Sequence, residues 1–262
     1  MGSNRQGLAV VTGASTGIGF ELAKCCAAYG YDLIVVANEP EIQAAAAELA
    51  ESGAAVEALQ ADLATLQGVD ALYAAIGGRA VEALLANAGR GLGGAFLDQD
   101  FADIRRVLDT NVTGTLALLH RVAHDMRARG QGRILITGSI AGLMPGSYQA
   151  VYNATKAFLD SFSFALRHEL KGSGVTVTCL MPGATETEFF DRAGMQDTKL
   201  GQSKKDDPAA VARKGFDAML KGEGDVVTGW QNRLAAAISS VMPSGALAAV
   251  HGRSTRPGSA AD

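Results

Sequence analysis

The chain has 262 residues, 48% of them apolar and 19% charged, with 23 Lys+Arg against 27 Asp+Glu. That length suits a single α/β domain with a sizeable core, and a net charge of −4 without a basic run excludes nucleic acid as the main partner. No apolar run reaches the roughly 18 residues of a membrane-spanning helix, and the opening MGSNRQGLAVV lacks an apolar stretch before a cleavage site, so a cytoplasmic location is expected. Cys25, Cys26 and Cys179 are odd in number, lack metal-ligand spacing, and read as reduced, buried thiols. His120 and His124 lie four apart on a helical stretch without a further ligand nearby, so no metal site is expected.

Short apolar runs alternate with longer helical patterns. Strands are predicted at Leu8–Thr12, Asp32–Val36, Ala55–Gln60, Val81–Ala86, Gly132–Thr137, Val175–Leu180 and Asp225–Thr228. Most are apolar almost without alternation, which suits strands covered on both faces. Helices are predicted at Ile18–Tyr29, Pro40–Ser52, Gly68–Ile76, Asp100–Arg129, Gln149–Lys171 and Pro208–Lys221. This repetition implies a parallel sheet with right-handed crossovers, a doubly wound Rossmann-like α/β fold of about seven strands. No interior linker or repeat is present, so residues 1–252 read as one domain and 253–262 as a disordered tail.

Thr12 through Gly19, TGASTGIG, follows the first strand and opens the first helix. Gly13, Gly17 and Gly19 remove Cβ atoms where a backbone must turn and approach a ligand. Ser15, Thr16, Gly17 and Ile18 bring free N–H groups and the positive end of a helix dipole to a pyrophosphate. This is a dinucleotide turn in its required strand–helix context. The second strand ends at Asn38-Glu39, where such folds read the adenosine ribose. Asn38 can bond a hydroxyl and Glu39 repels a phosphate. No Arg or Lys lies between Lys24 and Arg79, so charge leans toward NAD over NADP. Asp62-Leu63 follows the third strand, and its carboxylate either accepts from an adenine amino group or caps the next helix. Asn87-Ala88-Gly89 closes the fourth strand with small residues that leave room for a ligand backbone and ribose.

Asn111 sits mid-helix among Thr110, Val112, Thr113 and Gly114. A kink that frees backbone groups inward, or a plain polar helix position, fits this composition. Ser139 ends the fifth strand. Tyr152 lies thirteen positions on and Lys156 four beyond that. At that spacing the tyrosine and lysine share one helical face, about 6 Å apart along the axis. A strand-end serine can face the same point. Three groups able to donate or relay a proton would then converge on one volume, a site for interconverting a carbonyl and an alcohol beside a hydride carrier.

With these residues in place, the chain resembles the short-chain dehydrogenase/reductase superfamily, of the short single-domain type, over roughly residues 7–230. The family's TGxxxGxG turn matches Thr12–Gly19, its NAG motif Asn87–Gly89, its helix asparagine Asn111, its serine Ser139 and its YxxxK Tyr152–Lys156. Its PG motif matches Pro182-Gly183, and the threonine that contacts the nicotinamide amide matches Thr187. Two positions depart. Thr185 stands beside the expected ring position where Val or Ile is common, and Asn38-Glu39 is neither the Arg of NADP-dependent relatives nor the Asp of NAD-dependent ones.

The resemblance implies an NAD(P)-dependent oxidoreductase acting on a ketone or secondary alcohol. Tyr152 is then the general acid/base. Lys156 lowers its pKa from near ~10 and holds the nicotinamide ribose, Ser139 stabilises the substrate oxygen, and Asn111 holds a relay water. Pairing of the helix over 149–171 with its copy implies a homodimer or homotetramer, for which Val151, Phe158, Phe162 and Leu166 lie away from the site. Residues 184–207 form a long connection expected to be a lid, with Phe189, Phe190 and Met195 as apolar cover. Leu143, Met144 and Tyr148 are expected to line the same pocket, which suits a fairly apolar substrate. Leu234–Val250, interrupted by Pro243, either covers the sheet edge, shapes the pocket or joins an interface, with a shallow membrane contact a lesser option because it lacks a basic face. A non-catalytic NAD(P)-binding sensor or scaffold is the alternative, disfavoured because a pure binder does not need Ser139 and Tyr152. Nucleotide-sugar dehydration or epimerisation would require a larger region after Gly183.

Overall fold

A computed structural model describes residues 6–239 and 242–261. Its strands are β1 (Leu8–Thr12), β2 (Asp32–Ala37), β3 (Val56–Gln60), β4 (Val81–Ala86), β5 (Gly132–Thr137), β6 (Val175–Met181) and β7 (Asp225–Val227). They form one parallel sheet in the order β3-β2-β1-β4-β5-β6-β7. The order reverses between β1 and β4, so a crevice opens beyond their carboxyl ends.

The helices are α1 (Gly17–Tyr29), α2 (Ile42–Ala50), α3 (Leu66–Ile76), α4 (Phe101–Leu108), α5 (Thr115–Arg129), α6 (Ala150–Glu169), α7 (Phe189–Arg192), α8 (Lys199–Gln202), α9 (Pro208–Lys221), α10 (Trp230–Ser239) and α11 (Ser244–Thr255). Strand β1 shows why its sequence does not alternate. Ala9 and Val11 pack with Leu22, Cys26 and Phe216 of α1 and α9, while Leu8 and Val10 pack with Leu72 and Leu118 of α3 and α5. Both faces are dry, and each buried Leu, Ile or Phe contributes about 1.5–3 kcal/mol of apolar transfer. Cys25, Cys26 and Cys179 are free and buried, and burial raises each thiol pKa.

The helix predicted over 100–129 is two helices, α4 and α5, joined by a π turn at Asp109–Gly114. Thr115 Oγ1 donates back five residues to the Thr110 carbonyl at 3.3 Å, which supports the wider turn. Gly114 is required here, because a Cβ would collide with the Leu63 carbonyl. The kink expected at Asn111 is therefore a π bulge.

The chain end departs from expectation. Residues 253–261 do not form a disordered tail: α11 runs to Thr255 and a short 3-10 turn follows at Ser259–Ala261. The Ala260 N–H donates to the Asp197 carbonyl at 3.0 Å, and the Lys199 N–H to Ser259 Oγ at 3.0 Å. Small and polar residues read as solvated are here committed to tertiary hydrogen bonds. Of the segment Leu234–Val250, Ser240 and Val241 lie outside the described residues. Among the described residues no helix is long and apolar enough to cross a membrane.

Candidate active site

A cavity of about 940 Å³ runs along the carboxyl ends of the central strands. One end is the turn after β1. Gly13 (φ 65°) and Gly17 (φ 59°) take left-handed backbone that disfavours a side chain. A Cβ at Gly13 would press on Ala88 Cα at 2.9 Å, and one at Gly17 on Thr187 Cγ2 at 2.8 Å. Gly19 serves packing instead, since a Cβ there would strike the Gly13 carbonyl. Ser15, Thr16, Gly17 and Ile18 line the cavity, and Thr16 supplies no side-chain cap to α1. The first N–H groups of this 13-residue helix are thus left to the cavity, with the positive end of its dipole.

Asn38, Glu39, Asp62 and Leu63, the residues expected to meet the adenosine, line the wall beyond this turn. Glu39 is not a lone acid. It accepts from Ser15 Oγ at 2.9 Å and forms a two-pronged ion pair with Arg192 of α7. A basic side chain therefore does reach this position, from 153 residues away, and the charge argument drawn from Lys24–Arg79 is incomplete. Asp62 pairs with Arg106 at 3.1 Å and accepts from the Ala64 N–H at 3.1 Å. The cap of α3 is Thr65, whose Oγ1 accepts from Gly68 N at 3.0 Å, so Asp62 is not the helix cap.

Asn87 and Asn111 act as staples. Asn87 Nδ2 donates to the Thr12 and Gly13 carbonyls at 3.2 and 3.3 Å, and its Oδ1 accepts from Thr137 Oγ1 at 3.1 Å. The ends of β1, β4 and β5 are locked together, with Ala88 and Gly89 presented to the cavity. Asn111 is fully buried. It accepts from Arg90 N at 2.8 Å and donates to Arg90 O at 3.0 Å and Thr155 Oγ1 at 2.9 Å. Its amide is committed to the protein rather than turned into the cavity.

Ser139, Tyr152 and Lys156 do line one stretch of wall. Ser139 is buried. Its Oγ donates to the Pro182 carbonyl at 3.3 Å and accepts from Ala141 N at 3.1 Å, capping a 3-10 turn at Ile140–Leu143. Tyr152 is half-buried against Phe189, with ring centroids 5.0 Å apart. Lys156 is buried, lies 5.9 Å from the Tyr152 ring centroid, and donates to the Thr137 carbonyl at 2.7 Å.

Burial pushes the Tyr152 phenol up to about 12, opposed by its Ser139 partner and reinforced by the Asp160 charge. Burial also pulls Lys156 down to about 8, opposed by Asp160 and then Cys179. Desolvation is the largest influence on Tyr152 in the chain alone, and the bond from Ser139 is what opposes it. Thr185 is buried and bonds its own loop at Gly183 O, 3.0 Å away, while Thr187 sits over Gly17. Pro182 and Gly183 complete this wall.

The far end is apolar. Of the residues expected to form a lid, Phe189 and Phe190 line it, whereas Met195 turns into a small cluster with Phe190 and Ala193. Of Leu143, Met144 and Tyr148, Met144 alone lines the cavity. The rest of the wall comes from the chain end, including Leu247, Val250 and His251. Within Leu234–Val250, Ile238, Met242, Leu247 and Val250 line the cavity, in keeping with the expected pocket-shaping role. Gln149, His251 and Arg192 escaped the sequence reading because only tertiary packing brings them here. Asp160 also escaped it, although 152, 156 and 160 at steps of four share one helical face.

Comparison with known proteins agrees with this geometry. The short chain dehydrogenase family model matches residues 7–197. An uncharacterized oxidoreductase of Myxococcus xanthus is 33% identical over 90% of this chain and 92% of its own length. Sulfoacetaldehyde reductase of Chromohalobacter salexigens is 37% identical over 68% of this chain and 72% of its own. A short-chain dehydrogenase from Sphingobium yanoikuyae, solved in complex with NADPH, superposes with a TM-score of 0.80 at 31% identity, covering 90% of this chain and 96% of that one. Motifs, sheet order and these likenesses together make the chain a member of the short-chain dehydrogenase/reductase family of oxidoreductases.

Proposed function

We propose that the protein interconverts a fairly apolar ketone and its secondary alcohol with a nicotinamide dinucleotide as hydride carrier. The observation that carries this reading is the single cavity in which the glycine turn and free α1 terminus stand at one end, Ser139, Tyr152 and Lys156 further along, and an apolar chamber beyond. The left-handed turn at Gly13 and Gly17, where a Cβ would press on Ala88 and Thr187, suits the close backbone approach of a dinucleotide. When bound, that cofactor supplies or accepts hydride at nicotinamide C4. Gly13 through Ile18 would hold its pyrophosphate, Asp62 and Leu63 its adenine, and Lys156 and Thr187 its nicotinamide half. Glu39 favours a ribose 2′-hydroxyl and hence NAD. Arg192 offsets its repulsion of a 2′-phosphate, so that lean is slight.

In reduction, Tyr152 gives its proton to the carbonyl oxygen while Ser139 Oγ leaves Pro182 to donate to the same oxygen. Lys156 supplies the positive charge that favours phenolate and returns a proton to Tyr152. Asn111 serves by holding the π turn whose freed backbone meets a relay water. In oxidation the steps reverse. A high Tyr152 pKa keeps the phenol protonated at neutral pH but makes it a weaker acid, and a cationic ring beside it would lower that pKa and favour the base role.

The chamber formed by Met144, Phe189, Leu200, Leu247 and Val250 is apolar, which favours an apolar substituent there. Phe158 is 42% exposed and stacks on Phe162 at 6.0 Å, leaving the outer face of α6 apolar, which supports a homodimer or homotetramer. The test is fluorescence titration with NADH and NADPH, then a ketone and alcohol panel followed at the nicotinamide absorbance. Turnover should fall by about 10²–10⁴-fold in Tyr152→Phe with cofactor affinity kept. Normal turnover in that variant would overturn the acid/base role, and binding without turnover across the panel would favour a sensor.

A further inference from the structure

A carboxylate that the proposed chemistry does not use lies under the site. Asp160 is 3% exposed and sits one turn beyond Lys156 on the same face of α6. Its Oδ1 accepts from the Ser139 N–H at 3.2 Å and from Cys179 Sγ at 3.5 Å. Its Oδ2 is buried with no hydrogen-bond partner. The loop after β5 wraps this group closely: a Cβ at Gly138 would collide with Oδ1 and one at Gly142 with Oδ2. A buried carboxylate with one oxygen unbonded is costly, and its hydrogen bonds alone do not offset that cost. The cation that bears on it is the buried Lys156, one turn away on α6 and bonded to the Thr137 carbonyl.

We propose that Asp160 is a positioning residue for the catalytic face, fixing the Ser139 backbone through its N–H and keeping Lys156 charged as its buried counter-ion. The groups that bear on it are Lys156 on α6, Cys179 on β6 and the Ser139 N–H at the end of β5. Burial raises its own pKa to about 6, with Ser139, Lys156 and Cys179 opposing, so it is mostly ionised at neutral pH. Its charge in turn raises Lys156 against the pull of burial. The coupling is reciprocal.

The inference rests on the proposed roles of Ser139 and Lys156, so its test reads protonation directly, without turnover. Lysine labelled with ¹³C at Cε is titrated by NMR in the parent and in Asp160→Asn, with Lys156→Gln assigning the signal. The Lys156 midpoint should move acidward by about one unit or more in Asp160→Asn. An unchanged midpoint overturns the proposal. Should Asp160→Asn fail to fold, ¹³C-aspartate titration of the parent and of Lys156→Gln decides: the Asp160 midpoint should rise without the ammonium, and a fixed midpoint overturns the coupling. With a substrate in hand, Asp160→Asn should lower kcat about tenfold with KM nearly unchanged, and move the alkaline decline of reduction to lower pH. A packing role alone would lower thermal stability and leave the Lys156 midpoint in place. Coupling without turnover would break the functional reading and spare the counter-ion.

Discussion

The two ends of the cavity are built in different ways. At the end proposed for the cofactor, the strand termini are stapled by short polar bonds within the sheet. Asn87 joins β1 to β5, Asn111 joins the β4 loop to α6, and Thr12 Oγ1 accepts from the Asn87 and Ala88 N–H groups, both at 2.9 Å. The ligand-facing groups there are mostly backbone, and the shape follows from glycines. At the substrate end the wall is side chains from three distant segments. These meet through a clasp in which Ser147 Oγ donates to Ala248 O at 2.8 Å and Thr255 Oγ1 to Ser147 O at 2.7 Å. His251 Nδ1 lies 3.1 Å from the same Ser147 carbonyl. One end is held by bonds between strand termini, and the other by contacts among segments outside the sheet.

That contrast can be broken by substitution. Lys156 belongs to both ends, so Lys156→Ala should have the largest effect, lowering turnover about 10³-fold and weakening NADH binding as well. Steady-state rates and fluorescence titration measure both, and loss of turnover alone would confine Lys156 to the chemistry. Ser139→Ala should lower kcat about 10²-fold with cofactor affinity kept, as for removal of one donor to a developing oxyanion.

The pH dependence of reduction sharpens the same division. Lys156 titrates at about 8 because burial disfavours its charge. Reduction should therefore decline as pH rises through about 8 as that proton is lost. A decline only near the ordinary lysine value of ~10.4 would show Lys156 to be solvated. At the adenosine end, Arg192→Ala leaves Glu39 unopposed. NADPH affinity should fall about twofold to fivefold relative to NADH, the range of a partly exposed ion pair.

The smallest effect is expected at the clasp. Thr255→Val removes its bond to Ser147, which should cost about 1 kcal/mol and lower Tm by about 2–4 °C. It should raise substrate KM while leaving NADH binding alone. Equal loss of both would mean that the two ends are not independent.

The cofactor end was legible because its determinants are local. Gly13 and Gly17 must be glycine where they stand, and Tyr152 and Lys156 share a face by helical arithmetic. Strand β1 announces two dry faces by its unbroken apolar run. Asp160 was equally available from that arithmetic, but a lone aspartate four residues past Lys156 reads as an ordinary polar helix position until the Gly138 and Gly142 backbones are seen closing over it. Asn111 was legible as a kink, while the partners of its amide were not, since Arg90 and Thr155 are far from it in sequence.

By itself the sequence determined the order of strands and helices, the parallel doubly wound sheet, the glycine turn and the Tyr152–Lys156 face, all of which follow from periodicity and backbone stereochemistry over a few residues. Only the tertiary structure decided what opposes Glu39, which side chains close the substrate chamber, and that residues 253–261 are bound rather than loose. It also set the protonation balance of Tyr152, Lys156 and Asp160. Those outcomes depend on burial and on contacts between segments 21 to 153 residues apart, and neither is written in any local run of the chain.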